Sequence, residues 1–180
     1  MGLRHRAAIK AWAESLVAEH GPLVAQVMAT APPPRVTIRV ARSAADPASC
    51  AGTQITLDER WFTEHPDDAG AVVHELSHAC LGRVRPQRRT AWLVEGIADL
   101  TRNAAGLQSG WSYPHYEAGR ATAGYQTSAH FLAWVEASSP GSVAALVRHL
   151  RRGTYDERDF TADHRSLQQM VQAYEHVHGG

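Results

Sequence analysis

Two cysteines in 180 residues, Cys50 and Cys80, are too few for a disulfide framework, and neither belongs to a CxxC pair. Long apolar runs are missing too: none approaches the roughly 18 to 20 residues that span a bilayer. The N-terminal MGLRHRAAIKAWAESLV is broken by charged or polar residues every few positions and does not read as a signal peptide. The expectation is a soluble protein, cytoplasmic as the sequence stands and secreted only if a leader has been trimmed. Net charge is absent, with Lys+Arg and Asp+Glu at 18 each. That balance favours neither nucleic acid nor an anionic membrane as a partner, and says nothing about oligomeric state. No repeat, low-complexity tract or helix-turn-helix pattern is visible, which argues against a DNA-bound regulator.

What is present is enough apolar side chain, 44% of the sequence, for the core of one domain over 1–180, with an N-terminal helical extension at 4–30. In that extension Ile9, Trp12, Leu16, Leu23, Val24 and Val27 keep helical spacing across Gly21-Pro22, which predicts two short helices or a kinked one. Pro32-Pro33-Pro34 then leads into RVTIRVA, whose Val36, Ile38 and Val40 alternate with Arg35, Thr37 and Arg39 as in a half-buried strand. Residues 43–52 read as a loop, and TQITLD as a second strand with Ile55 and Leu57 on one face. A helix is predicted over 69–81, capped by Asp67 or Asp68 and stopped by Gly82. Thr90 is a plausible N-cap for AWLVEGIADLTRNA, where Gly96 calls for a packing reason. After a loop at 106–124, three more helices follow in YQTSAHFLAWVEA, GSVAALVRHLRR and HRSLQQMVQAYEHV.

Within the predicted helix, HELSH puts His74 and His78 one turn apart on one face, where both imidazoles reach a single cation. Glu75 beside them is not a ligand; it takes the proton of a metal-activated water and passes it to a leaving amine. Eleven His and ten Glu placed at random would produce HExxH about 0.04 times per chain, so the pattern alone does not decide the matter. Its apolar neighbours Val72, Val73, Leu76 and Leu81 imply burial, and buried imidazoles need partners. Catalytic zinc takes three protein ligands and keeps one position open. A third histidine six residues on is ruled out, because Val84 stands there and Leu81 occupies the place of the accompanying glycine. A carboxylate on a following antiparallel helix is the other solution, and WLVEGIADL offers Glu95 and Asp99 one turn apart, with Gly82 and Pro86 in the reversing turn. Two histidines and one carboxylate also suit non-haem iron with oxidative chemistry, and a metal that only ties two helices together would make a binding module.

HELSH followed by WLVEGIAD resembles the gluzincin pattern of zinc metallopeptidases. VVHELSHACLG, LVEGIADLTR and AGYQTSAHFLAWVE together resemble the basic secretory protein family, peptidases of plants and bacteria, over roughly 35–175. The resemblance implies a zinc-dependent hydrolase of peptide bonds with one Zn2+, held by His74, His78 and Glu95, with Glu75 as general base. Asp99 then orients a ligand histidine, His74, from behind. The implied fold is α+β and zincin-like: a short mixed sheet, an edge strand beside the HExxH helix, and a mainly helical C-terminal half. TQITL is expected to be that edge strand, on which a peptide or protein substrate pairs.

Tyr125, in the third motif, is the first candidate to stabilise the oxyanion, with Tyr113, His115 and Tyr116 as rivals. A G-x-M-E-N-like segment that would hold a substrate N-terminus is missing, which favours an endopeptidase. Neither a signal nor a basic excess is present, so the family's extracellular role is not expected. His130 reads as a core or boundary histidine and Cys80 as a buried thiol. RVRPQRR reads as a solvated turn, or as a holder of an acidic substrate or partner.

Overall fold

The computed structural model describes residues 2–31, 35–42, 46–82, 84, 87–107 and 112–179. The prolines at 32–34 and 86, expected to end a helix and to turn the chain, lie outside them. Among the described residues the architecture is α+β, mostly helical, with one three-stranded mixed sheet. No helix there is long and apolar enough to cross a membrane.

Helix α1 (Gly2–Val27) runs through Pro22 without interruption, so Gly21-Pro22 does not divide it as the spacing suggested. Proline removes one backbone bond, whereas Ile9, Ala13, Leu16 and Val24 are buried in the core and α1 packs along α3 (Ala69–Leu81). Tertiary burial on both sides of the proline outweighs the local defect.

The sheet comprises β1 (Thr37–Ala41), β2 (Ala48–Ala51) and β3 (Gln54–Asp58), in the order β1-β3-β2. β3 is parallel to β1 and antiparallel to β2. The strand TQITL is therefore central, and the expectation that it forms the edge is wrong. The edge beside α3 is β2, from a segment read as loop. Its Ala, Ser, Cys composition carries little strand preference. A two-residue turn compensates: Gly52 takes a φ of +64°, as the first position of a type II′ hairpin requires, and folds 48–51 back on β3 in register.

Asp58 ends β3 and caps the short α2 (Glu59–Glu64), which the sequence did not signal, by accepting from the Trp61 N–H at 2.8 Å. α3 spans the expected residues, with Asp68 as its cap and Gly82 at φ +77° beyond its end. α4 (Ala91–Ala104) also has its expected limits, but Thr90 does not cap it by side chain. The Thr90 hydroxyl instead accepts from the Gln87 N–H in the preceding turn. The helical half continues with α5 (Tyr125–Ser138), α6 (Ser142–Arg152) and α7 (Leu167–His178). Phe131 sits between Trp92, Phe160 and Tyr174, at ring separations of 6.3, 6.1 and 5.1 Å, and locks α4, α5 and α7 together.

Gly96 has the packing reason its position called for. A Cβ there would stand 2.7 Å from Ser128 Cβ and 3.1 Å from Leu132 Cδ1, so α4 and α5 approach each other through it. In an open helix Gly96→Ala would stabilise by about 1 kcal/mol. Here the sign reverses: the substitution is expected to cost about 1–3 kcal/mol in urea unfolding. A more stable variant would contradict the close approach.

Candidate metal centre

The site is built from one buried face each of α3 and α4. Helical spacing puts His74 and His78 on the same side of α3, with Val72, Val73 and Leu76 buried around them. His74 meets Asp99 while His78 meets Glu95, so the two helices run antiparallel. Ser77 and Thr101 pair their hydroxyls across the same interface and hold its register.

The imidazole of His74 is gripped at both nitrogens. Nδ1 lies 2.7 Å from Asp99 Oδ1, and Nε2 lies 3.2 Å from Glu95 Oε2. His78 Nε2 stands 3.1 Å from His74 Nε2 and 3.6 Å from Glu95 Oε2. Among the described residues, these are the three whose donor atoms cluster closely enough to hold a metal ion. Donors bound tetrahedrally at about 2.0–2.1 Å stand roughly 3.3–3.4 Å apart. The three observed edges bracket that value, so the donor set fits such an ion. Nδ1 donating to Asp99 leaves the His74 Nε2 lone pair for the cation.

Electrostatics around the cluster are lopsided. Burial works against a charged His74, but the hydrogen-bonded carboxylates of Asp99 and Glu95 outweigh it and hold the imidazole up at about 9. Burial likewise raises Glu95, yet its bonds to His74 and His78 bring it down to about 2. Glu75, 8% exposed, is raised by burial, with His74 and His78 pulling the other way. The two carboxylates thus favour a proton on His74, and any metal bound by these donors would have to displace it.

A cleft of about 600 Å³ opens over the cluster, walled by α3, α4 and the edge strand β2. Of the four aromatic candidates, Tyr125 is the one found among the lining residues. Its ring stacks on that of His74 at 6.2 Å and 14°. Tyr125 holds a φ of +50°, rare for a side chain of its size. A Cβ at Gly124, the residue before it, would stand 3.9 Å from Glu95 Cβ, and the Gly124 N–H donates to Ser128 Oγ at 2.8 Å. The charge of Glu95, then burial, raises the phenol, which stays protonated as a donor.

Of the rivals, Tyr116 donates to Glu175 at 2.7 Å and His115 bonds the Tyr113 carbonyl; exposure does not separate Tyr113 from Tyr125, at 60% and 52%, but Tyr113 is not in the cleft lining. His130 is a boundary histidine bonded to the Tyr174 hydroxyl at 2.6 Å, and Cys80 is a buried thiol raised to about 11 by burial.

Two contributors were not legible in the sequence. Cys50 reaches the cleft from β2, its thiol raised to about 12 chiefly by burial. Arg102 donates to Asp68 at 2.9 Å and to the Leu107 carbonyl at 3.3 Å, bracing the N-terminus of α3 against α4. It lies close over Gly70, where any Cβ would collide with its guanidinium. The helical pattern around WLVEGIADLTR placed Arg102 on the helix but offered no signal of its partner, 34 residues away.

An α+β fold with a histidine–carboxylate cluster beneath a cleft is the class these observations define. The chain belongs to the basic secretory protein family, peptidases of plants and bacteria, whose model matches residues 30–174. That span contains the sheet, both helices of the cluster and Tyr125. No curated protein and no solved structure matches the chain.

Because the His74 value is raised from 6.5 to about 9, its contribution to stability is full below pH 6.5 and is lost as pH rises through 9. Chelator-treated protein is therefore expected to melt at progressively lower temperature across that window. Asp99→Asn should flatten the slope, and a melting temperature that rises over the same window would refute the assignment.

Proposed function

We propose that this chain is a zinc-dependent peptidase of the gluzincin type on a zincin-like fold, acting as an endopeptidase. The observation that carries the reading is the triangle of His74 Nε2, His78 Nε2 and Glu95 Oε2, with edges of 3.1, 3.2 and 3.6 Å. In it, His74, His78 and Glu95 are the ligands. Zinc held there supplies a Lewis acid and a water whose pKa falls to about 7.

The chain's own groups do the rest. Asp99 accepts the His74 Nδ1–H and keeps the ring turned so that Nε2 faces the ion. Glu75 is the general base: its buried carboxylate, raised above the usual range, takes a proton from the attacking water and returns it to the departing amine. Tyr125 donates its phenolic O–H to the oxygen on which negative charge develops. Its stacking on His74 and its left-handed backbone hold it at the cleft without a covering helix turn.

The endopeptidase part of the reading is supported by β2. Its outer edge has no neighbouring strand among the described residues, and its residues wall the cleft. An extended substrate adds there as a further strand, its backbone bonded along the edge and its scissile carbonyl over the cluster. Such a site takes chain on both sides of the bond that is cut.

Glu75→Gln is expected to retain one zinc by elemental analysis and to cut a mixed peptide library about 10²–10⁴-fold more slowly, read by mass spectrometry. Zinc retained with cleavage undiminished would leave the metal a merely structural tie. Protein purified without added metal that carries iron and consumes oxygen would replace the zinc reading altogether. Tyr125→Phe should keep both the metal and KM while kcat falls about a hundredfold. An unchanged kcat would remove Tyr125 from the mechanism.

A further inference from the structure

A second cavity, of about 300 Å³, lies between the turn that precedes α4 and the C-terminal end of α6. Arg89, Arg151 and Arg152 line it, together with Gln87 and Tyr155. Among the described residues none of the three arginines takes part in an ion pair, and no carboxylate is in the lining. Of the nearby acids, Asp156 is already paired with Arg158 at 2.7 Å. Three like charges around one basin repel each other unless an anion sits among them.

Arginines alone are an ordinary solvated surface. Tyr155 is not ordinary: it is 6% exposed, and its hydroxyl is buried without a hydrogen-bond partner among the described residues. Native structures rarely leave such a group unsatisfied, and a ligand is one of the reasons they do. Burial and Glu157 raise this phenol, with Arg89 opposing, so it is a neutral donor. A planar anion is the chemistry that three guanidinium forks, an amide and a phenolic O–H share.

The basin is also placed to meet what lies in the cleft. Val84 lines both cavities, so the basin begins where the cleft ends. The cleft itself carries four carboxylates, Asp46, Glu75, Glu95 and Asp99, against one arginine, Arg102, and the two histidines of the cluster. We propose that the basin binds a carboxylate of the peptide substrate, lying a few residues away from the bond that is cut. Naming a peptide rests on the peptidase reading; the anion site does not.

Binding separates the two. Fluorescein-labelled tetraglutamate amide, tetraglutamine amide and tetraglutamine free acid are titrated by anisotropy into the full-length Glu75→Gln protein. Tetraglutamate amide should bind and tetraglutamine amide should not. Binding of the free acid would assign the C-terminal carboxylate as a sufficient source, and its failure would assign the side chains. Arg151→Gln/Arg152→Gln should weaken tetraglutamate about tenfold or more, as should 0.5 M salt. Tyr155→Phe should weaken it severalfold without lowering the melting temperature, since only an orphaned hydroxyl is removed. Binding unaltered in both variants, or no binding at all, overturns the proposal. A 12-nucleotide RNA that binds more tightly at the same arginines would overturn the peptide assignment.

In the cleavage arm a single Glu is walked along a substrate peptide of the wild-type protein. One position should raise kcat/KM about tenfold, and the double arginine variant should lose that preference. Wild-type protein that cuts no peptide sinks the peptidase reading, with the anion site still decided by anisotropy.

Discussion

Asp99 is 2% exposed and meets His74 Nδ1 at 2.7 Å. Its second carboxylate oxygen is buried without a hydrogen-bond partner among the described residues. A carboxylate so placed is costly to desolvate, and its charge is offset by the imidazole it holds and by the nearby Arg102. The geometry of the cluster follows from that bond. It fixes the His74 tautomer, aims Nε2 at His78 and Glu95, and binds α4 to α3 at the depth where Glu95 can complete the triangle. Arg102 extends the same constraint, because its partner Asp68 caps α3 and also accepts from the Trp61 indole at 3.0 Å. Helix start, helix pairing and cluster geometry are thus one connected polar network with few degrees of freedom.

The opposite wall of the cleft depends on two glycines, one for close helix approach and one for its backbone angle. Gly96 lets α5 lie against α4, and Gly124 supplies the φ of +95° in the turn before α5. Tyr125 then has to begin its helix from a left-handed backbone, a conformation that costs of order 1–2 kcal/mol. Stacking on His74 and the Ser128 bonds to Gly124 and Ala121 hold it there. Strain of this kind at a cleft is tolerated because the surrounding packing over-determines it. β2 supplies the remaining wall, with no strand on its outer edge among the described residues.

Charge across the molecule sums to zero, yet it is not evenly spread. Carboxylates gather around the cluster and arginines around the neighbouring basin, with Val84 between them. A neutral total therefore conceals two fields of opposite sign close together. On the proposed reading, such a surface would discriminate peptides by the order of their charges and not by their net charge.

Local pattern by itself determined the helices at 69–81 and 91–104, the strand alternation of Ile38, Ile55 and Leu57, and the pairing of His74 with His78. These rest on 3.6- and 2-residue periods and on caps within one turn, which neighbours in sequence impose. It also narrowed the third donor to Glu95 or Asp99. The family resemblance told them apart, and the packing of α3 on α4 brings Glu95 to both imidazoles and Asp99 behind one. Tertiary structure likewise decided that α1 survives Pro22, that β2 and not β3 forms the edge, and that Arg102 pairs with Asp68. Each of these depends on pairing or packing against another element: α1 is buried against α3, β1 joins β3 from 17 residues away, and Arg102 reaches Asp68 from 34. Side-chain burial outweighs the single backbone bond lost at Pro22, and which strand of the sheet is central depends on where β1 docks; neither can be read from a window of neighbouring residues.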